Sequence, residues 1–344
     1  MIAELSGGLP EGTAYIELGE TLPQAQIELG GEILPLGSLV EAWDSTLEPI
    51  FPTKAAPVSM LEVPSCTERC TAAPAVKAAK PRVFIPVFPG TNCEYDSARA
   101  FERAGAEPDV LVVKNLTPAG IEETVERMEM AIRRAQIIMI PGGFSGGDEP
   151  DGSGKFIATA FRSPRVSEAV ANLLERRDGL MLGICNGFQA LIKLGLVPYG
   201  HITEPSPDAP TLTFNTLGRH VSRMVYTRIA SVKSPWLAGT EPGEVFAVPV
   251  SHGEGRFAAD SKTLSRLIAN GQIATQYCTP DGVPSGKTEW NPNGSVCAVE
   301  GITSPDGRIL GKMGHSERRG RNICKNVPGE KDQKIFESGV KYFR

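Results

Sequence analysis

Apolar and polar residues alternate along Ala14-Tyr15-Ile16-Glu17-Leu18 and again along Ala25-Gln26-Ile27-Glu28-Leu29, around a Gly- and Pro-marked turn. A period of two puts one set of side chains on one face of a strand, so the two runs predict a short antiparallel pair. An amphipathic piece at 39–43 follows. Two strands and a helix cannot close a core alone, and they read as the cut end of something larger. From 54 to 80 the chain turns rich in Ala, Pro, Ser and Thr and loses its periodicity, the pattern of a linker.

At Arg82 the pattern changes. Apolar runs at 83–88, 109–113, 136–140 and 180–183 predict buried strands. Stretches at 93–104, 121–135 and 166–177 predict helices between them. Such alternation predicts a mostly parallel sheet with helices on both faces. Beyond Thr211, runs at 221–232, 245–250, 273–277, 296–299 and 309–313 predict an antiparallel extension of that sheet. The expected organisation is an α/β domain over 82–344, preceded by a short α+β remnant over 1–55 and a linker over 56–81.

Composition narrows the function classes. The 344 residues are 41% apolar and 22% charged, which excludes wholesale disorder. No apolar run approaches the roughly 18–20 residues that span a bilayer, and no leader-like pattern opens the chain, so a cytoplasmic protein without membrane contact is expected. Seven cysteines, an odd number, argue for reduced thiols. The first 53 residues hold nine acidic side chains and no Lys or Arg, while the remainder holds 35 basic and 31 acidic ones. That asymmetry sets the opening apart as a different unit. The basic 308–344 stretch reads as solvated surface, and no basic stripe with interleaved aromatics suggests nucleic acid.

The strongest local signal is Gly183-Ile184-Cys185-Asn186-Gly187 between a strand and a helix. A thiol on a sharp strand-to-helix turn needs small neighbours, and the helix N-terminus behind it favours thiolate. A thiolate attacking an acyl group needs a base and a group to orient it. His315 follows the strand at 309–313, and Glu317 lies two residues on, on the same side of an extended segment. Gly142 and Gly143 end another strand, where backbone N–H groups can approach a substrate oxygen. Gly143 with the N–H of Asn186 is the expected oxyanion hole. Cys93 also follows a strand but lacks flanking glycines, so it is expected near the site and not as nucleophile. Gly152-Ser153-Gly154-Lys155 fails as a phosphate loop, because Glu149 stands where glycine is required and Phe156 where Ser or Thr is. Cys66 and Cys70, with no histidine nearby, make no zinc site, and no metal is expected.

GICNG with Gln189, PGGFSGGD at 141–148 and GHSE at 314–317 resemble class I, triad-type glutamine amidotransferases. FPGTNCE (88–94), PGGFSGGDEPDGSGKF (141–156), GICNGFQ (183–189), VSHGEGRF (250–257) and NPNGS (291–295) are more specific. They resemble the glutaminase domain of phosphoribosylformylglycinamidine synthase, of purine biosynthesis, over residues 82 to about 320. The acidic opening, with Trp43 and LEPIFPT at 47–53, resembles the end of the ATP-using synthetase portion of long single-chain members.

The resemblance implies a flavodoxin-like α/β fold and hydrolysis of glutamine through a Cys thioester to glutamate and ammonia. The ammonia would pass to the synthetase for ATP-dependent amidation of formylglycinamide ribonucleotide. It implies Cys185 as nucleophile, His315 as proton shuttle and Glu317 as its orienting group. Gly142, Gln189, Ser251, Gly253 and Glu254 would hold glutamine, and His252 is given no catalytic role. No cofactor is implied in this chain, with ATP and magnesium expected in the synthetase portion, its fused or separate partner. One departure stands out: related glutaminases often carry His-Pro-Glu, and here the residues are His315-Ser316-Glu317. Serine keeps the His/Glu spacing. The competing readings are a glutaminase serving another synthase, a cysteine hydrolase of similar build, or a non-catalytic docking scaffold. Loss of a triad member would mark the scaffold, and all three are present.

Overall fold

The computed structural model describes residues 4–71, 73–144 and 154–344. The chain divides into two compact units, Met1–Thr53 and Lys54–Arg344. In the first, β1 (Gln26–Leu29) pairs antiparallel with β2 (Glu32–Pro35), and α1 (Leu36–Ser45) follows. Gly30 and Gly31 take φ of 59° and 88°, as a two-residue hairpin turn requires. The strand expected at Ala14–Leu18 is not formed. The tight glycine turn closes β1 onto the next residues, at less entropic cost than closure onto a run further away.

The second unit runs β3 (Arg82–Val87), α2 (Glu94–Ala104), β4 (Glu107–Val112), α3 (Pro118–Arg134), β5 (Ile137–Ile140), α4 (Lys155–Phe161), α5 (Pro164–Arg176), β6 (Leu180–Ile184), α6 (Asn186–Leu194) and α7 (Leu196–Tyr199). It continues with β7 (Thr211–Phe214), β8 (Val221–Ile229), β9 (Val245–His252), β10 (Glu254–Ala258), α8 (Ser261–Ala269), β11 (Ile273–Cys278), β12 (Val299–Thr303), β13 (Ile309–Lys312) and α9 (Ile335–Lys341). Nine strands form one sheet in the order β4-β3-β5-β6-β13-β12-β11-β8-β9. The first five are parallel and the last four join antiparallel. The run at 309–313, expected in the antiparallel extension, instead lies parallel beside β6 as β13, since its pairing partner is set across the sheet and not by its own apolar pattern. Every residue of β5 and β6 is buried, which is why these strands read as continuous apolar runs. β7 and β10 make a separate antiparallel pair.

Two expectations shift. The segment expected as a linker lies within the second unit, whose boundary falls before Lys54. Val58 donates its N–H to Gly286, Cys66 bridges to Ser231, Val63 is buried, and Arg69 bonds the carbonyls of Ala238 and Thr240. The described residues of 54–80 therefore form a strap laid on the α/β body. Its pairing is entirely long-range, so no local period announces it. The strand expected at 296–299 starts only at Val299, because Cys297 and Ala298 adopt φ of 51° and 55° and bend the chain first. The excluded phosphate loop at 152–155 and the glycine-rich stretch from 145 on fall largely outside the described residues. Lys155 opens α4.

Candidate active site

The parallel strands deliver their chemistry at their carboxyl ends, as open α/β sheets do. β6 ends at Ile184 and α6 begins at Asn186, leaving Cys185 alone on the turn with φ 53° and ψ −107°. A non-glycine residue in that region is strained, and the surrounding packing must hold it there. A Cβ on Gly187 would lie 1.9 Å from the Ile140 carbonyl oxygen, so only glycine lets α6 sit this close to the end of β5. The Cys185 thiol is 5% exposed and donates to the Ser251 carbonyl at 3.7 Å.

β13 lies beside β6 and delivers the base. His315 Nδ1 is 2.6 Å from Glu317 Oε1, and both residues are buried. That leaves Nε2, buried and unpaired among the described residues, as the nitrogen for Cys185. Burial opposes a charged imidazole, but Glu317 and Cys185 outweigh it and hold His315 well above its ordinary value. Burial likewise opposes the Glu317 carboxylate, and His315 overcomes it and pulls Glu317 below its usual range. Each partner thus favours the charged form of the other.

Gly142 sits where these groups meet. A Cβ on it would be 2.7 Å from His315 Cε1 and 3.3 Å from both Cys185 Cβ and Cys93 Sγ. Gly143 bridges to Thr91, and Asn92 donates to the Gly142 carbonyl, so the turn after β3 is fastened to the end of β5. Asn186 opens α6, and its side-chain amide donates to Gln189 Oε1 at 3.0 Å. Gln189 in turn donates to the Glu254 carbonyl. Ser251, Gly253 and Glu254 form the corner between β9 and β10, beside the thiol. Ser251 Oγ meets His220 Nε2 at 3.0 Å, and the Gly253 carbonyl accepts from Asn215. His252 is buried against Asn215, and burial together with the neighbouring imidazoles of His315 and His220 pushes it down to about 3. It is a neutral wall residue.

One group at the site escapes sequence reasoning. Arg318 donates to Cys93 Sγ at 3.0 Å, and that sulfur also donates to Asn92 Oδ1. The only available signal for Arg318 is its position directly after Glu317. Cys93, expected nearby, lies 3.8 Å from His315 Nδ1. Cys93, His315 and Glu317 bring three ligand-type atoms within 4.8 Å of one another. A cation there would displace the His315–Glu317 bond and sit against the Arg318 guanidinium. That charge arrangement favours anions over metals.

The profile of the CobB/CobQ-like glutamine amidotransferase domain family matches residues 80–343. The phosphoribosylformylglycinamidine synthase subunit PurQ of Symbiobacterium thermophilum is 36% identical over 264 residues, covering 76% of this chain and 96% of that one. The PurQ subunit of Methanococcus maripaludis is 34% identical over 281 residues, covering 76% and 97%. Among solved structures, PurLQS from Thermotoga maritima is 26% identical, superposes with a TM-score of 0.55, and covers 77% of this chain and 100% of the matched one. Among the described residues no helix is long and apolar enough to cross a membrane.

Proposed function

The chain belongs to the CobB/CobQ-like glutamine amidotransferase family, and from that premise we propose that Cys185, His315 and Glu317 carry out its glutaminase step. The chain is the glutamine amidotransferase component of phosphoribosylformylglycinamidine synthase. The observation that carries the residue assignment is the 2.6 Å His315–Glu317 bond beside a strained Cys185.

Cys185 attacks the side-chain carboxamide of glutamine, and the tetrahedral oxyanion is stabilised by the backbone N–H groups of Gly143 and Asn186. His315 protonates the departing ammonia and leaves a thioester on Cys185. It then takes a proton from water, whose attack releases glutamate. Glu317 holds one tautomer and balances the imidazolium. Gly142, Gln189, Ser251, Gly253 and Glu254 surround the bound glutamine. These steps need no cofactor. Ammonia passes to a synthetase partner, where ATP and magnesium serve the amidation of formylglycinamide ribonucleotide. The acidic first unit is the remnant of that synthetase portion, and 54–344 is the glutaminase body.

Glutamate release by the full chain, with synthetase partner, ATP and formylglycinamide ribonucleotide present, tests the assignment. Cys185→Ala and His315→Ala should each lower it by at least about 10³-fold with the fold intact. Full release by either variant would sink the triad. Full activity without any synthetase would sink the gated, channelled form of the reading.

A further inference from the structure

Behind the candidate base lies a buried ion pair that the steps above do not use. Lys312, the last residue of β13, and Glu300 of β12 meet at 3.1 Å, and both side chains are 0% exposed. Burying two charges is unfavourable unless their remaining donors and acceptors are satisfied. Here those partners belong to one short turn. Lys312 Nζ donates to the Gly314 carbonyl at 2.7 Å and to Ser316 Oγ at 2.9 Å. Glu300 Oε1 accepts the Gly314 N–H at 2.6 Å, and Oε2 accepts from Thr275. The ammonium and the carboxylate therefore grip opposite polar groups of Gly314, the residue before His315. A Cβ on Gly314 would approach Glu300 Oε1 to 2.9 Å and Lys312 Nζ to 3.1 Å, so any larger residue would have to push the two gripping side chains aside. Ser316 passes the contact on, donating to Gln333, which donates to Thr227.

Lys312 also reaches the other half of the site. Its carbonyl accepts the Cys185 N–H at 2.8 Å. One residue thus fastens the nucleophile through its main chain and the base through its side chain. The serine of His315-Ser316-Glu317, where relatives often have proline, acquires a physical reason: it accepts from a buried ammonium, which a proline ring cannot.

We propose that Lys312 and Glu300, with Ser316, are positioning residues that lock the His315–Glu317 turn against Cys185 as an internally neutral clamp. The proposal rests on the triad assignment above. The clamp does not touch the substrate. It fixes the angle and distance at which His315 meets the thiol, and its two charges cancel. Charge at His315 is then set by the groups that face it: Glu317 and Arg318 on its own turn, Cys185 before α6, Cys93 before α2 and His252 on β9.

The test reads kinetics and charge separately, in the full chain with its synthetase partner. Lys312→Met with Glu300→Gln removes both charges and keeps the volume. It should lower kcat for glutamate release about 10- to 100-fold while KM stays within about threefold. Ser316→Ala should cost less, about 3- to 10-fold. Alkylation of Cys185 by iodoacetamide, followed by peptide mass spectrometry, supplies the pH profile. Glu300→Gln alone leaves an unbalanced cation and should move the midpoint to lower pH. Lys312→Met alone leaves an anion and should move it to higher pH, and the double variant should return it. A merely structural role would shift both single variants alike or neither, and that result, or a double variant with unchanged kcat, overturns the clamp. Cys185→Ala and His315→Ala serve as controls. If they retain activity the triad assignment fails, whatever Lys312 does.

Discussion

In the first unit α1 buries none of its ten residues, and Trp43 is 84% exposed; in the second even a lysine and a glutamate are wholly enclosed. Apolar surface drives folding only when it leaves water, at about 25 cal/mol per Å². The first unit leaves Tyr15, Ile16, Leu18, Ile33, Val40 and Ile50 in water and gains little of this. The second has core to spare, so it can hold strained backbone at Cys185 and charges behind His315. Cohesion in one region permits chemistry there. In the other, that cohesion is lacking.

The contrast can be broken or sharpened by experiment. The largest effect belongs to Gly187→Ala in the second unit, where the added carbon would meet the Ile140 carbonyl at 1.9 Å. Chemical denaturation should show a loss of about 3 kcal/mol or more, since neither the strand nor the helix can retreat. A loss below about 1 kcal/mol would mean that the α6–β5 approach is loose. Next comes the pH dependence of stability at His252. Its folded value of about 3 lies below the ordinary 6.5, so the unfolded chain takes up the proton first as pH falls. Stability should drop by about 1 kcal/mol per pH unit from roughly pH 6.5 down towards 3, with no contribution at neutral pH. His252→Gln should flatten that acid slope in Tm-against-pH scans, and an unchanged slope would locate it elsewhere. The smallest effect is Trp43→Ser in the first unit. It should change stability by less than about 0.5 kcal/mol, because the indole is already in water. A loss of several kcal/mol would show that the first unit has a core after all, whereas weakened association with the synthetase would sharpen the contrast.

Period and local chemistry made the first four parallel strands, the cysteine turn and the His/Glu spacing legible from sequence, because each is set within a few residues. Pairing across long separations was not legible. The strap at 54–80 is held by Gly286, Ser231 and Ala238, none of which its own composition can announce. The hairpin partner of Gln26–Leu29 was misplaced because alternation marks a strand without naming its neighbour. The Lys312–Glu300 pair left a faint trace, a lysine in an apolar strand and a glutamate in Val299-Glu300-Gly301-Ile302. The antiparallel register that sets Gly301 opposite Lys312 makes the pairing visible.

The nucleophile and the base hang from adjacent rungs of one backbone ladder: Ile184 faces Lys312, and each chemical residue follows within three positions. Neighbouring strands stand about 4.8 Å apart whatever side chains they carry. Their separation therefore comes in whole steps. Substitutions along either strand leave it unchanged, while a one-residue slip turns every side chain to the opposite face. Side chains such as Lys312 tune the approach by degrees, whereas changing the count of residues in β6 or β13 by one removes it at a stroke.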